Sequence, residues 1–390
     1  MRVKVAHVVT RLDMGGAQQN TLHTVRHLDP VRFEALLVCG EGGYFDEEVR
    51  RDAKVRTVFL HSLVREVSWT RDLLALLELR RLFAAERPDV VHTHSSKAGI
   101  LGRLAAALAG VPVIVHTYHG FGFHDRQSPF VKSVYVLLER LCALVTTRLV
   151  FVSRANADYA ARHGIRGAAE GVILRSGVRL AAFPAKVDVA ALKASVGIGH
   201  RQPLVVSIGN LKPQKNAGDF LAVAAKIAAR VPEARFVFIG DGPLRRELEA
   251  KAFALGLEGT ILFLGWRRDG AQWLAAADVF ALTSLWEGLP RSLVEAMKTG
   301  LPPVCYAVDG VVDLIRDGEN GFLVEPGDIA AFAERLVSLL SDEGLRRRLG
   351  AAAARRIGPE FDIDGMVRTQ EKLYNHLLMN YAGSGLSLAA

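Results

Sequence analysis

Short runs of β-branched and aliphatic residues recur along the 390-residue chain and alternate with longer amphipathic stretches. The first runs fall at 3–9, 35–39, 55–60, 89–93, 112–117 and 148–152. Between them, apolar positions return at helical spacing near 17–28, 71–86, 97–109 and 130–145. This alternation predicts a parallel sheet with crossover helices. The pattern relaxes over 176–203, where Gly177, Pro184, Gly197, Gly199 and Pro203 gather, and this stretch reads as a linker. It restarts with Leu204-Val205-Val206-Ser207-Ile208 and continues at 235–239, 260–264, 278–282 and 303–306. Two consecutive doubly wound α/β domains follow, over 1–185 and 186–365. A last helical stretch at about 366–380, with the tail to 390, is placed to cross back onto the first domain. No short-period repeat breaks this plan.

Composition narrows the class. Half of the residues are hydrophobic, enough for two cores, and nothing in the composition indicates disorder. The net charge of +8 is spread rather than clustered. It fits nucleotide phosphates or an acidic lipid surface. Nucleic acid is disfavoured, because there is no arginine-rich run, zinc-finger spacing or aromatic-basic repeat. Cys39, Cys142 and Cys305 are odd in number and far apart, so buried, reduced thiols in a cytoplasmic protein are expected. The amino terminus runs directly into Val3-Lys4-Val5-Ala6-His7-Val8-Val9, which reads as a first strand and not as a signal peptide. Every apolar stretch of about 18 residues is interrupted by charge, so the expectation is a soluble or peripherally membrane-bound protein.

Chemistry concentrates at predicted strand ends. Glu287-Gly288-Leu289-Pro290-Arg291-Ser292-Leu293-Val294-Glu295 follows the run Val279-Phe280-Ala281-Leu282. Glu287 falls in the loop, and Glu295 falls in a helix that Pro290 is expected to open. Carboxylates at the carboxyl ends of parallel strands suit a ligand rich in hydroxyls. After 204–208 comes Gly209-Asn210-Leu211-Lys212-Pro213-Gln214-Lys215, where Lys215 beside a helix start makes a candidate diphosphate contact. Asp13-Met14-Gly15-Gly16 opens the first helix, as either a phosphate cradle or a tight turn. Gly240-Asp241-Gly242 and Gly265-Trp266 end two further strands and can meet a nucleobase through backbone groups, although Trp266 can equally be a packing residue. The adjacent dinucleotide fingerprint, Gly-x-Gly-x-x-Gly with a later acid, is absent from the first turn.

Two histidine clusters end neighbouring strands of the first half, His92-Thr93-His94 and His116-Thr117-Tyr118-His119-Gly120. No acidic residue or cysteine nearby completes a familiar ligand set, so no metal site is assigned. His119 is read as a hydrogen-bonding group at a ligand cleft, and His116 as core. Region 121–148 mixes Phe121, Phe123, Phe130, Val134, Tyr135, Leu137 and Leu138 with Arg126, Lys132, Arg140 and Arg148. It reads as either a core-facing helix or a helix lying on an anionic membrane.

The ordered set Gly15-Gly16, His119-Gly120, Gly209 with Lys215, Gly240-Asp241-Gly242, Gly265, and Glu287 with Glu295 resembles the retaining glycosyltransferases of family 4. The resemblance covers nearly the whole chain. It implies the GT-B architecture, two Rossmann-like domains facing across a cleft, the first for the acceptor and the second for the donor. The segments 92–105 and 116–121 are similar to the bacterial branch that builds capsule, exopolysaccharide and O-antigen repeats on a lipid carrier. The resemblance implies a metal-independent hexosyl transfer from a nucleoside-diphosphate sugar, UDP-linked, to a glycan or lipid-linked acceptor. No cofactor is needed beyond this donor substrate.

The same resemblance distributes roles. Glu295 is expected on the ribose hydroxyls and Glu287 on the donor sugar. Lys215 is expected on the diphosphate, with amides near Gly16 and along Leu289–Arg291 at the start of the 290–299 helix. His119 is expected beside the donor sugar, and the base between the loops at Gly240–Asp241 and Gly265–Trp266. Asn210 stands where relatives commonly carry arginine after the glycine of the Gly209 loop, which removes one diphosphate cation. A nucleotide-sugar epimerase of the same architecture and a non-catalytic nucleotide-sugar-binding protein remain alternatives.

Overall fold

Both faces of a parallel sheet are covered by helices, so its strands are apolar on both sides. The computed structural model, which describes residues 2–125, 127–183 and 187–383, contains two such sheets. Strands β1 (Val3–Arg11), β2 (Phe33–Gly40), β3 (Arg56–Phe59), β4 (Val90–His94), β5 (Val113–Tyr118), β6 (Arg148–Phe151) and β7 (Val172–Ile173) form the first. Its order is β3-β2-β1-β4-β5-β6-β7. Strands β8 (Leu204–Ile208), β9 (Arg235–Ile239), β10 (Ile261–Phe263), β11 (Val279–Leu282), β12 (Pro303–Tyr306) and β13 (Phe322–Val324) form the second, in the order β10-β9-β8-β11-β12-β13. Every pairing within these sheets is parallel.

The chain divides into two compact units, Met1–Gly177 with Ile363–Ala390, and Val178–Asp362. Each is a Rossmann-like α/β domain. The division falls inside the relaxed stretch, earlier than residue 185, and the last helix, Ile363–Gly383, starts earlier than 366. That helix belongs to the first unit because its apolar stripe is used there. Ile363, Met366, Val367, Tyr374 and Leu377 share a core with Val5, Val90, Val113, Val115 and Val150. The alternate residues Ala6, Val8, Val91 and Ile114 turn to the opposite face, onto Ala75, Leu79 and Phe83 and onto Ala98, Ala105 and Ala106. In the second unit, Phe236, Phe238, Val279, Ala281 and Val304 meet Phe220, Ala224, Ile227, Phe332 and Leu336. Strands β7 and β13, both short edge strands, are additions to the runs read from the sequence. Pro184 and Arg126 lie outside the described residues.

In both sheets the strand order reverses beside the first strand of the unit, between β1 and β4 and between β8 and β11. At such a switch point the two following loops diverge and leave a crevice at the carboxyl ends of the strands. The histidine strands and Gly15–Gly16 meet one crevice. The Gly209 loop and the Glu287 loop meet the other.

One fully buried charge cluster holds the end of β5. Arg103 donates to Glu139 at 2.6 Å and to the Gly99 carbonyl at 2.8 Å, and the Tyr118 hydroxyl donates to the same Glu139 oxygen at 2.7 Å. Burial works against the Arg103 charge, but Glu139 more than offsets it and the guanidinium is held above its ordinary pKa. The cluster ties helix Ser96–Leu108, the end of β5 and helix Pro129–Leu144 together directly before His119. Removing one partner of a buried pair strands the other charge, at a cost of ~3–5 kcal/mol, whereas an apolar replacement of both is far milder. Glu139→Ala is expected to lose about that much in urea denaturation, and Arg103→Met with Glu139→Leu to recover most of it.

Candidate active site

The β8 and β11 loops bring together two residues that the sequence offered separately. Lys215 Nζ is hydrogen-bonded to Glu287 Oε1, with side-chain exposures of 13% and 7%. The rest of the loop fixes this pair. Lys215 lies along Gly209, where an added Cβ would sit 3.1–3.4 Å from its stem. Thr283 at the end of β11 donates to the Lys215 and Asn216 carbonyls at 3.2 and 3.0 Å. Gln214 donates to the Trp286 carbonyl at 2.8 Å. The Glu287 amide donates to Asp309 at 2.8 Å, which anchors the acidic loop on the segment after β12. Asp309 has a positive φ of 36°, and Gly310 approaches so closely that a Cβ there would lie 1.8 Å from the Gly288 carbonyl oxygen. The pair is a fixed zwitterion: a cation for phosphate and an acceptor for hydroxyls, side by side.

The helix after Glu287 is Arg291–Lys298, and Pro290 is its N-cap with ψ 106°, not its first residue as the sequence reading had it. Pro290 is extended there, and its carbonyl takes the first helical amides of Leu293 and Val294 at 3.1 and 3.2 Å. No side chain caps this start, and its first turn carries no acid. Its amides and Arg291 therefore present positive potential next to the pair. Leu289 is buried beneath the turn. Glu295 lies one turn on, 3.9 Å from Arg291. Burial raises the Glu295 carboxyl pKa above the ordinary value, against the opposing effect of Arg291.

Gly240 has φ 141°, and a Cβ there would lie 1.7 Å from the Gly209 carbonyl oxygen, so only glycine fits. Its amide donates to Gly265 at 2.9 Å, which closes the two loops on each other. Trp266 lies 3.4 Å from that same Cβ position. Asp241 is spent on its own loop, accepting from Gly242 at 2.7 Å and pairing with Arg245 at 2.9 Å. Asn210 is half-buried at the start of the Lys215 loop, and its carbonyl accepts from Lys212 at 2.9 Å.

In the first unit, Gly15 caps helix Gly16–His27 without a side-chain bond, and the first turn has no acid. Across the switch point the register sets His7 against His92, and His92 and His94 share one face of β4. His116 belongs to the other face, where its Nδ1 meets Thr93 at 2.8 Å, as core. His119 is bonded to His94 at 3.1 Å, and His94 to His7 at 3.1 Å. His119, His94, Thr117, Asn20, Thr24 and Gln370 line a small polar pocket. Ring nitrogens of His7, His92 and His94 lie within 4.8 Å of one another, a grouping that could hold a metal ion. The sequence reading missed it because His7 stands alone in β1. Asp309 and Thr283 in the second unit, and Tyr374 and Gln370 in the first, escaped as well, since each meets the residues of its own unit through long-range contacts.

Residues 15–175 match the Glycosyl transferase 4-like domain, and residues 188–356 match the Glycosyl transferases group 1 family. The chain is 34% identical, over 97% of its length and 98% of the relative, to the UDP-Gal:alpha-D-GlcNAc-diphosphoundecaprenol alpha-1,3-galactosyltransferase of Escherichia coli. It is 27% identical over 89% of its length, and 92% of the relative, to the lipopolysaccharide core biosynthesis glycosyltransferase LpsE of Rhizobium meliloti. Among solved structures, Anabaena HepE in complex with UDP and glucose superposes with a TM-score of 0.81 at 22% identity, covering 96% of this chain and 100% of that one. The sucrose-phosphate synthase of Thermosynechococcus elongatus reaches 0.84 at 20%, covering 97% and 100%. The chain belongs to the glycosyltransferases of this 4-like, group 1 family, and its fold is GT-B.

The Glu295 environment has a stability signature. With the folded pKa raised by burial, both states are protonated at low pH and the residue is neutral for stability. As pH rises through the folded pKa, ionising Glu295 in place costs stability. Glu295→Gln is therefore expected to match the parent in stability at about pH 4 and to exceed it at neutral pH, read by thermal unfolding at both values. Greater loss at neutral pH than at low pH would contradict the raised pKa.

Proposed function

We propose that the protein transfers a hexose-type sugar from a uridine-diphosphate donor to a hydroxyl of a lipid-linked saccharide, with retention of anomeric configuration. The carrying observation is the Lys215–Glu287 pair at the β8/β11 switch point, with Arg291 and Glu295 on the helix that starts beside it. The name of the Escherichia coli relative supports the donor and acceptor class. On this reading Glu295 accepts the two ribose hydroxyls, and Lys215, Arg291 and the uncapped amides after Pro290 hold the diphosphate. Glu287 takes a donor-sugar hydroxyl, and the base lies over Gly240, Gly265 and Trp266.

The anomeric carbon–oxygen bond breaks, and its electron pair leaves with the diphosphate. The acceptor hydroxyl oxygen bonds to the same face of the sugar, and its proton passes to the leaving phosphate oxygen. The products are the new glycoside and the nucleoside diphosphate. Preorganised cations where negative charge develops are the main source of acceleration, and this protein supplies them from Lys215, Arg291 and helix amides without a metal. The ion pair of Glu287 Oε1 with Lys215 draws negative charge from the carboxylate and weakens it as a covalent nucleophile, and this favours same-face attack over double displacement.

A lipid-linked acceptor calls for a membrane-facing surface. Helix Pro129–Leu144 exposes Phe130 (78%), Leu137, Leu141 and Leu144, with Lys132 and Arg140 along it. Helix Trp69–Glu86 exposes Trp69 (88%), Leu73, Leu74 and Leu77. Both pack against helix Ser96–Leu108, so their apolar side chains lie on the same side of the first sheet. No helix among the described residues is long and apolar enough to cross a membrane. An interfacial position at the inner face of the cell membrane fits this pattern.

Glu287→Gln is expected to lower kcat by about 10²-fold with little change in donor binding. Glu295→Ala is expected to raise the donor KM by roughly 10-fold or more through lost charged hydrogen bonds. Equal effects of both substitutions on both constants would undo this division of labour. In vesicle flotation, the protein is expected to rise with anionic liposomes, and Phe130→Glu with Leu137→Glu to remain at the bottom. An unmodified protein that stays at the bottom would remove the membrane assignment.

A further inference from the structure

Two loop residues of the second unit hold a backbone angle that ordinary side chains avoid. Asn216 has φ 47° and Asp309 has φ 36°, both in the left-handed region. Such residues carry strain, persist only where their neighbours fix them, and gather at functional sites. These two flank the Lys215–Glu287 pair. Asn216 directly follows Lys215, and Asp309 Oδ2 accepts the Glu287 amide at 2.8 Å. The parallel pairing of β11 with β12 sets Leu282 opposite Cys305, so the loops that bear Glu287 and Asp309 leave the sheet side by side.

The acidic loop is tied down on both sides. Toward β8, the Leu285 amide donates to the Gln214 carbonyl at 2.8 Å, and Gln214 Nε2 donates to the Trp286 carbonyl at 2.8 Å. Toward β12, Asp309 makes the tie. A Cβ on Gly310 would lie 1.8 Å from the Gly288 carbonyl oxygen and 3.2 Å from the Leu289 Cα, so the turn rests flush on the loop. The turn is itself braced, because Val311 is fully buried and its amide donates to the Val308 carbonyl at 2.9 Å. A hydrogen bond to a carboxylate is about twice as strong as a neutral one. Glycine would adopt the angle at residue 309 without strain, but it would surrender this acceptor.

We propose that Asp309 is a positioning residue for sugar transfer: its carboxylate sets the Glu287 backbone, so that the Glu287 side chain stays on Lys215 and aimed at the donor sugar. This deepens the proposed function and rests on its assignment of Glu287 to a donor-sugar hydroxyl. The strain at residue 309 follows from two opposed demands. The amide needs a side-chain acceptor, and the backbone angle favours a residue with no side chain. Asparagine meets both in part, since it tolerates the left-handed region and keeps a side-chain oxygen.

Variants of the full-length protein test this. In Asp309→Gly, relief of strain offsets the lost bond, so the unfolding midpoint is expected to stay within about 3 °C of the parent. Its kcat is expected to fall about 10-fold while the KM for the UDP-hexose donor moves less than about 2-fold, as befits lost orientation with binding retained. Asp309→Asn is expected to recover kcat to within about 3-fold of the parent. Added to Glu287→Gln, Asp309→Gly is expected to lower kcat by less than about 2-fold more, because the group it positions is already gone. Hydrogen exchange of the Glu287 amide reads the same tie without turnover. It is expected to be slow in the parent and in Asp309→Asn, and at least about 10-fold faster in Asp309→Gly. A parental kcat in Asp309→Gly, an Asp309→Asn as slow as Asp309→Gly, an undiminished loss on top of Glu287→Gln, or fast exchange of this amide in the parent would overturn the inference. Slow exchange that Asp309→Gly abolishes, beside a Glu287→Gln variant with parental kcat, would uphold the tie and sink the proposed role of Glu287 instead.

Discussion

Parallel strand pairing is the constraint on which the rest of this protein depends. When strands run the same way, every carboxyl end faces the same edge, and every connection returns as a helix. Loops that bear chemistry are thus sorted to one edge of each sheet before any side chain contributes. The reversal of strand order beside β1 and beside β8 then separates neighbouring loops enough to admit a ligand. Lys215 and Glu287 are 72 positions apart and meet because β8 and β11 are neighbours at that reversal. His7 and His94 are 87 positions apart and meet because β1 and β4 are.

Buried polarity is handled differently in the two units. In the second, charge is retained and paired: Lys215 with Glu287, Arg291 with Glu295. Such pairs add little net stability because desolvation cancels most of their attraction. What they supply is a fixed field where a phosphate and a sugar are expected. In the first, the rings of His7, His92 and His94 are kept neutral by burial. Arg103 and Glu139 keep buried charge there, and they brace the backbone that leads to His119.

Glycine marks where backbones must touch. Gly240 lies against the Gly209 carbonyl and Gly310 against that of Gly288, and each contact joins a site loop to the next strand end. These positions were visible in the sequence as glycines after strands. What they touch was not, because close approach is a property of two segments. The same holds for Asp241, whose place in a strand-end loop matched a binding role although its oxygens serve Gly242 and Arg245.

The chain's periodicity alone determined the α/β class, the long helices of the first unit and nearly all strands, because apolar spacing is a local record of which face is buried. Motif order was enough to place Glu287, Lys215 and His119 on strand-end loops and Glu295 in the helix that follows one of them, since a turn and a helix start have local signatures. Tertiary structure decided the rest. It made Lys215 and Glu287 one unit, turned Pro290 from a first residue into a cap, closed Gly240 onto Gly265, and joined His7 and Tyr374 to His119. Each of these is a pairing between segments distant in sequence, and hydrogen bonds of 2.6–3.5 Å carry no trace in the spacing of either partner.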